Sequence, residues 1–151
     1  MSEAKVASGG SPVRVYVING ANLNLLGSRE PEIYGKETLA DINAAIAEKF
    51  PACEFVFFQS NCEGAIIDKL HEAQKDAKGV ILNAGAYTHY SYAIRDGVAA
   101  IGVPVVEVHM SNIYAREEFR HKSVLSEVCK GVICGFGSAG YIMAAEYLIN
   151  M

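Results

Sequence analysis

Five short runs rich in β-branched and aromatic residues, spaced along 151 residues and separated by helical patterns, constrain this chain more than any other feature. The runs are VRVYVIN at 13–19, EFVFFQS at 54–60, GVILNAG at 79–85, PVVEVHM at 104–110 and GVICGFG at 131–137. They are continuously apolar rather than alternating, as strands buried on both faces are. Between them, Leu39, Ile42, Ile46 and Phe50 follow a helical stripe, opened by Thr38 with Asp41 three residues on, a variant of the capping box. Ile66, Ile67, Leu70 and Ala73 make a second stripe, and residues 90–101 and 139–149 carry a third and a fourth.

Strand–helix alternation predicts a parallel sheet with helices on both faces, joined by right-handed crossovers. Five strands suit a flavodoxin-like α/β fold, three layers in αβα order with strand order 2-1-3-4-5, better than a six-stranded dinucleotide domain. The length is that of one domain, and neither a linker nor an internal repeat interrupts it. We expect a single domain over 13–151, preceded by a disordered leader, MSEAKVASGGSP, at 1–12. A net charge of −4 argues against general nucleic-acid binding, which needs a basic stripe. No stretch is apolar for long enough to span a bilayer. Cys53, Cys62, Cys129 and Cys134 have no paired CxxC spacing, so the expected home is a reduced cytoplasm.

In open parallel sheets the ligand crevice lies beyond the carboxyl ends of the strands. Residues with chemistry gather there. Strand one ends in Asn19 and runs into NGANLNLLGSREPEIYG, a connection much longer than the few residues usual between strand and helix. Strand three ends in Asn83, followed by AGAYT and His89, and strand four ends in Glu107-Val-His109-Met-Ser111-Asn112. Glu107 and His109 lie two apart on a strand, hence on one face, and a carboxylate beside an imidazole suits a general acid or base. The same pair, with His89, also fits a metal site, though zinc sites are usually denser in ligands. Asn83 and His89 flank the start of the next helix, whose N-terminus favours an anion; plain capping by Thr88 is the simpler reading, and the two are compatible.

Arg29 and Tyr34 share the long connection. A tyrosine is mostly an inert phenol at neutral pH, and a nearby guanidinium favours the phenolate. Arg120 is placed to grip a carboxylate in the crevice through two parallel hydrogen bonds, whereas Arg116 reads as part of a solvated charged turn. GFGSAG at 135–140 matches the dinucleotide fingerprint, but too little chain follows it for the second strand and acid that cofactor binding requires. Close helix–sheet packing is the better account.

Together, INGANLNLLGSREPEIYG, ILNAGAYTHYSYAIRDG, PVVEVHMSNIYAREEFRHKS and GVICGFGSAGY resemble type II 3-dehydroquinate dehydratase from Val13 to the C-terminus. The resemblance implies anti elimination of water from 3-dehydroquinate to 3-dehydroshikimate, through an enolate and without a cofactor, in the shikimate pathway or in quinate breakdown. By the same resemblance Tyr34 is the base, with Arg29 favouring its ionised form, and Asn22 stabilises the enolate oxygen. His109 is the general acid, oriented by Glu107. Asn83, His89, Met110, Ser111 and Arg120 bind substrate, Met110 and Ser111 through backbone amides, and Asp96 approaches a neighbouring subunit's site. A dodecamer built as a tetramer of trimers is implied as well.

The chain departs from the family pattern at Ala21, where proline is usual, at Met110, where a branched aliphatic is common, and at Tyr90, which is bulkier than usual. Two other readings compete: a flavodoxin-like module that binds a small anion without catalysis, and a metal-dependent hydrolase built on Glu107, His109 and His89.

Overall fold

Side chains alternate between the two faces of each inner strand, and helices cover both faces. The computed structural model describes residues 10–151; most of the expected leader, residues 1–9, lies outside the described residues, and 10–12 are exposed and irregular. The strands are β1 (Arg14–Asn19), β2 (Glu54–Gln59), β3 (Gly79–Asn83), β4 (Val105–His109) and β5 (Gly131–Cys134). All pairings are parallel, in the order β2-β1-β3-β4-β5. The helices are α1 (Pro31–Tyr34), α2 (Leu39–Lys49), α3 (Glu63–Ala73), α4 (Tyr92–Ala100) and α5 (Ala139–Ile149). This is the expected flavodoxin-like αβα arrangement.

On one face, Val15, Val17, Ile81, Val106 and Val108 pack with Ile42 and Ile46 of α2 and with Tyr141, Ala144, Ala145 and Leu148 of α5. On the other, Tyr16, Ile18, Val80 and Leu82 pack with Ile66 and Leu70 of α3 and with Ile94 and Val98 of α4. Each fully buried Ile or Leu contributes roughly 1.5–3 kcal/mol relative to exposure, so both helical layers are held to the sheet by the stripes read from the sequence. Thr38 and Asp41 form the reciprocal capping box at the start of α2.

Two expectations change. β1, β3 and β4 are buried on both faces, but β2 is half-buried along its length and β5 partly exposed, because the strand order leaves them at the sheet edges. The cap of α4 is Ser91, which accepts from the Ile94 amide, and not Thr88. Thr88 lies three residues earlier in a short 3-10 turn and is fully buried.

The ends of β1 and β3 meet backbone to backbone. The Gly20 amide donates to the Asn83 carbonyl at 2.7 Å, and a Cβ on Gly20 would stand 2.3 Å from the Ala84 oxygen. Gly85, at φ +63°, approaches the Ala21 oxygen in the same way, so that a Cβ there would lie 2.8 Å from it. Only hydrogen-sized side chains permit this contact. It brings the polar residues after β1 and β3 onto one crevice.

Candidate active site

A cavity with an empty volume of about 490 Å³, its open mouth included, lies beyond the carboxyl ends of β1, β3 and β4. Asn22, Arg29, Tyr34, Asn83, His89, His109, Met110, Ser111 and Arg120 all line it, nine of the eleven residues singled out from the sequence. Glu107 stands behind His109 with no exposed surface. Asp96 is exposed on α4 and is not among the residues lining this cavity.

The long connection after β1 is an organised strap. Asn22 adopts the left-handed region at φ 68°, which asparagine tolerates better than most residues, and its amide donates to Asn61 Oδ1 at 2.9 Å. Glu30, also left-handed, precedes Pro31, and Pro31 occupies the first turn of α1, where its missing N–H costs nothing. That single helical turn delivers Tyr34 to the cavity. Beyond it, Ser138 Oγ donates to Glu37 Oε1 at 2.7 Å and ties the end of the strap to the GFGSAG turn. This turn donates its Gly135 and Gly137 amides to the carbonyls of His109 and Met110. A Cβ on Gly140 would be 3.4 Å from Ile133 and Val108, as the close packing of α5 on the sheet requires.

Tyr34 lies between two guanidiniums. Arg29 Cζ is 5.1 Å and Arg116 Cζ 5.2 Å from the ring centroid. Arg116, not Arg29, reaches the phenol oxygen: its Nη1 donates to Tyr34 Oη at 2.6 Å and lies 3.3 Å from Ser111 Oγ. The expectation for Arg116 therefore fails, and for a tertiary reason. Residues 113–120 form two short 3-10 turns with Arg116 extended between them, so Arg116 and Arg120 do not share a helix face. His121 Nε2 bonds the Arg116 carbonyl at 3.1 Å and helps hold that extended residue. Arg120 pairs with Glu117 and covers the Phe119 ring at 4.6 Å.

His109 Nε2 bonds Glu107 Oε2, leaving Nδ1 as the ring nitrogen able to serve the cavity. Burial pushes the Glu107 carboxyl up, but hydrogen bonds from His109, Ser126 and Ser123 outweigh it and leave the group below its ordinary value. His89 stacks on His109 with centroids 6.4 Å apart and bonds the Lys122 carbonyl through Nδ1 at 2.8 Å. Burial first, then the nearby His109 and Arg120 charges, lower its pKa despite that bond, so His89 is neutral at neutral pH. Glu107 and His109 are thus engaged with each other and His89 with the Lys122 carbonyl, and no group of three or more His, Cys, Asp or Glu among the described residues could hold a metal ion.

Asn83 is committed to structure as well as to the cavity. Its Oδ1 accepts from the Gly85 amide at 3.1 Å and its Nδ2 donates to Tyr141 Oη at 2.9 Å, while Tyr141 donates to Asn19 Oδ1 at 2.5 Å. Burial raises the pKa of this fully enclosed phenol, so Tyr141 stays a neutral donor tying the ends of β1 and β3 to α5. Arg116, Thr88, Ser123, Ser126 and Tyr141 are the site residues that the sequence reading did not assign. Arg116 carried one signal, its proximity to strand four.

A doubly wound parallel sheet, with a phenol, an imidazole–carboxylate pair and guanidiniums at its carboxyl edge, defines a class of enzyme equipped for acid–base chemistry on a small anion. The family model described as Dehydroquinase class II matches residues 13–149, and the chain belongs to that family. It is similar to the 3-dehydroquinate dehydratase of Pelodictyon phaeoclathratiforme, 55% identical over 143 residues that cover 93% of this chain and 95% of the relative. The 3-dehydroquinate dehydratase of Bacillus subtilis is 54% identical over 136 residues, 89% of this chain and 92% of that one. Among solved structures, the type II dehydroquinase of Butyrivibrio crossotus superposes with a TM-score of 0.89 at 51% identity, covering 92% of this chain and 99% of the other.

Proposed function

We propose that this chain removes water from 3-dehydroquinate to give 3-dehydroshikimate, with Tyr34 as base and His109 as acid. The observation that carries the assignment of roles is the Arg116 hydrogen bond to Tyr34 Oη inside the cavity that also contains His109. Family membership supports the reaction; the geometry supports the roles.

A guanidinium donating to the phenol oxygen stabilises negative charge on it, so Tyr34 can accept the proton next to the substrate ketone. The developing enolate oxygen needs a preorganised donor, and Asn22 stands on the same wall with its backbone held in place by Asn61. His109, as imidazolium, then passes its Nδ1 proton to the departing hydroxyl, and water leaves. Glu107 supports the imidazolium by accepting the hydrogen bond from its Nε2–H, which stays on His109. To reset, Tyr34 loses the proton it gained and His109 takes one up. Arg120, His89, Asn83, Met110 and Ser111 line the remainder of the wall and suit an anionic, polyhydroxylated ring.

Addition of 3-dehydroquinate to the folded protein should produce an enone absorbance with no metal or nucleotide added and with chelator present. A folded protein that gives no absorbance change would refute the dehydratase assignment and favour a simple binding module.

The domain extends over 13–151 in this reading, and the chain assembles as a dodecamer, a tetramer of trimers. Exposed Tyr90, Tyr92, Tyr114 and Phe119 on one chain support assembly, as does Asp96, which faces outward from its own cavity and is available to a neighbour's. Sedimentation should report the mass of twelve chains, and a monomer with full activity would refute both the assembly and the role of Asp96 in a neighbour's site. A cytoplasmic location is supported by four unpaired cysteines; no described helix is long and apolar enough to cross a membrane.

A further inference from the structure

Three hydroxyls that the reaction does not use converge on the carboxylate behind the general acid. Thr88 Oγ1 donates to Glu107 Oε2 at 3.0 Å, Ser123 Oγ to Oε1 at 3.0 Å and Ser126 Oγ to Oε1 at 2.8 Å. With His109 on Oε2, every face of a fully enclosed carboxylate is met. The donors come from separate parts of the chain, one from the turn after β3 and two from the segment between β4 and β5.

We propose that Thr88, Ser123 and Ser126 are positioning residues for the dehydration, holding Glu107 as an immobile, ionised acceptor so that His109 keeps Nε2–H on Glu107 and presents Nδ1 to the leaving hydroxyl. The inference rests on the dehydratase reading for its link to turnover, but not for the state of Glu107.

A carboxyl removed from water tends to protonate, and a protonated Glu107 would present a donor on one oxygen and no negative charge to support the Nε2–H of an imidazolium. An arginine or lysine would also keep it ionised. Its positive charge, however, would oppose the proton that His109 must carry. Three neutral donors stabilise the carboxylate without that conflict. The surroundings agree: among the described residues His109 alone forms an ion pair with Glu107. His89 faces the pair from the turn before α4 and is kept neutral chiefly by burial. From the other side comes Cys129, whose thiol is pushed up to about 12 by burial and then by the Glu107 charge, so it stays protonated. Arg120 faces His89 across the cavity and bonds Glu117.

Ser126 is the cleaner probe, because Ser123 Oγ also accepts the amides of Leu125 and Ser126. The test is a ¹³C titration of glutamate-labelled protein, with the Glu107 signal assigned by its loss in Glu107→Gln, alongside steady-state kinetics. In Ser126→Ala the Glu107 midpoint should rise by about one pH unit, the scale of a hydrogen bond to a charged group. At neutral pH kcat should fall about tenfold with KM within about twofold, since the lost interaction lies behind the acid and not on the substrate. Ser126→Thr, which keeps the hydroxyl, should restore both. A Glu107 midpoint that does not move, or an unchanged kcat, overturns the proposal. Should Ser126→Ala not fold, Thr88→Val carries the same two readouts. The titration needs no substrate, so it is decided separately from the turnover assay.

Discussion

Tyr34→Phe should lose turnover by about a thousandfold or more, within the ordinary range for removal of a general base, while binding of substrate or of a non-reacting analogue changes by no more than a few-fold. The substitution removes one oxygen. Tyr34 is half-buried, and its ring is packed between Arg29 and Arg116 with both guanidiniums about 5 Å from the centroid. Phe preserves that packing, so the cavity wall should remain. The loss falls on kcat because, in the proposed mechanism, the phenol oxygen takes the proton. Calorimetric binding and single-turnover kinetics on the same protein separate the two effects. Retention of more than a tenth of wild-type kcat would remove Tyr34 from the role of base.

Arg116→Ala should be nearly as damaging, with kcat lower by about a hundred- to a thousandfold, the usual cost of deleting one donor to a catalytic oxyanion. The expectation comes from the 2.6 Å contact between Nη1 and Tyr34 Oη. Arg116→Lys should recover only part of the rate, because a compact ammonium does not reproduce a planar guanidinium that packs against the Tyr34 ring while donating to its oxygen. Arg29 sits over the ring face and pairs at 3.6 Å with Glu30, without a contact to the phenol oxygen. Arg29→Ala should therefore reduce kcat less than Arg116→Ala in this conformation of the strap. An Arg116→Ala enzyme within threefold of wild-type kcat, or an Arg29→Ala enzyme that is the more impaired, would reverse the assignment of the phenolate partner.

The two arginines illustrate which relationships a sequence makes legible. Arg29 and Tyr34 are five residues apart, so their proximity could be read along the chain. Arg116 and Tyr34 are 82 apart, and nothing local reports that they meet. The same holds for Glu107. Its pairing with His109 follows from period-two geometry in a strand, whereas Thr88 was assigned to a helix cap because Ser and Thr commonly cap. Ser91, three residues later, takes that role, and Thr88 turns inward to the carboxylate. A hydroxyl serves either purpose, and only tertiary position chooses.

The sequence by itself determined the five-stranded parallel sheet, its helices and most of the cavity wall. Hydrophobic period is a local property, and an α/β sheet places strand ends on one edge whatever the loops do. It also led to the family, because long motifs stand at those strand ends. The tertiary structure alone decided that Arg116 holds Tyr34, that three hydroxyls surround Glu107 and that Tyr141 ties Asn19 to Asn83. Each of these is a contact between distant segments, set by where the packed sheet brings their backbones. Hydrogen-bond energy depends on a few tenths of an ångström and on burial, and neither is written in spacing along the chain.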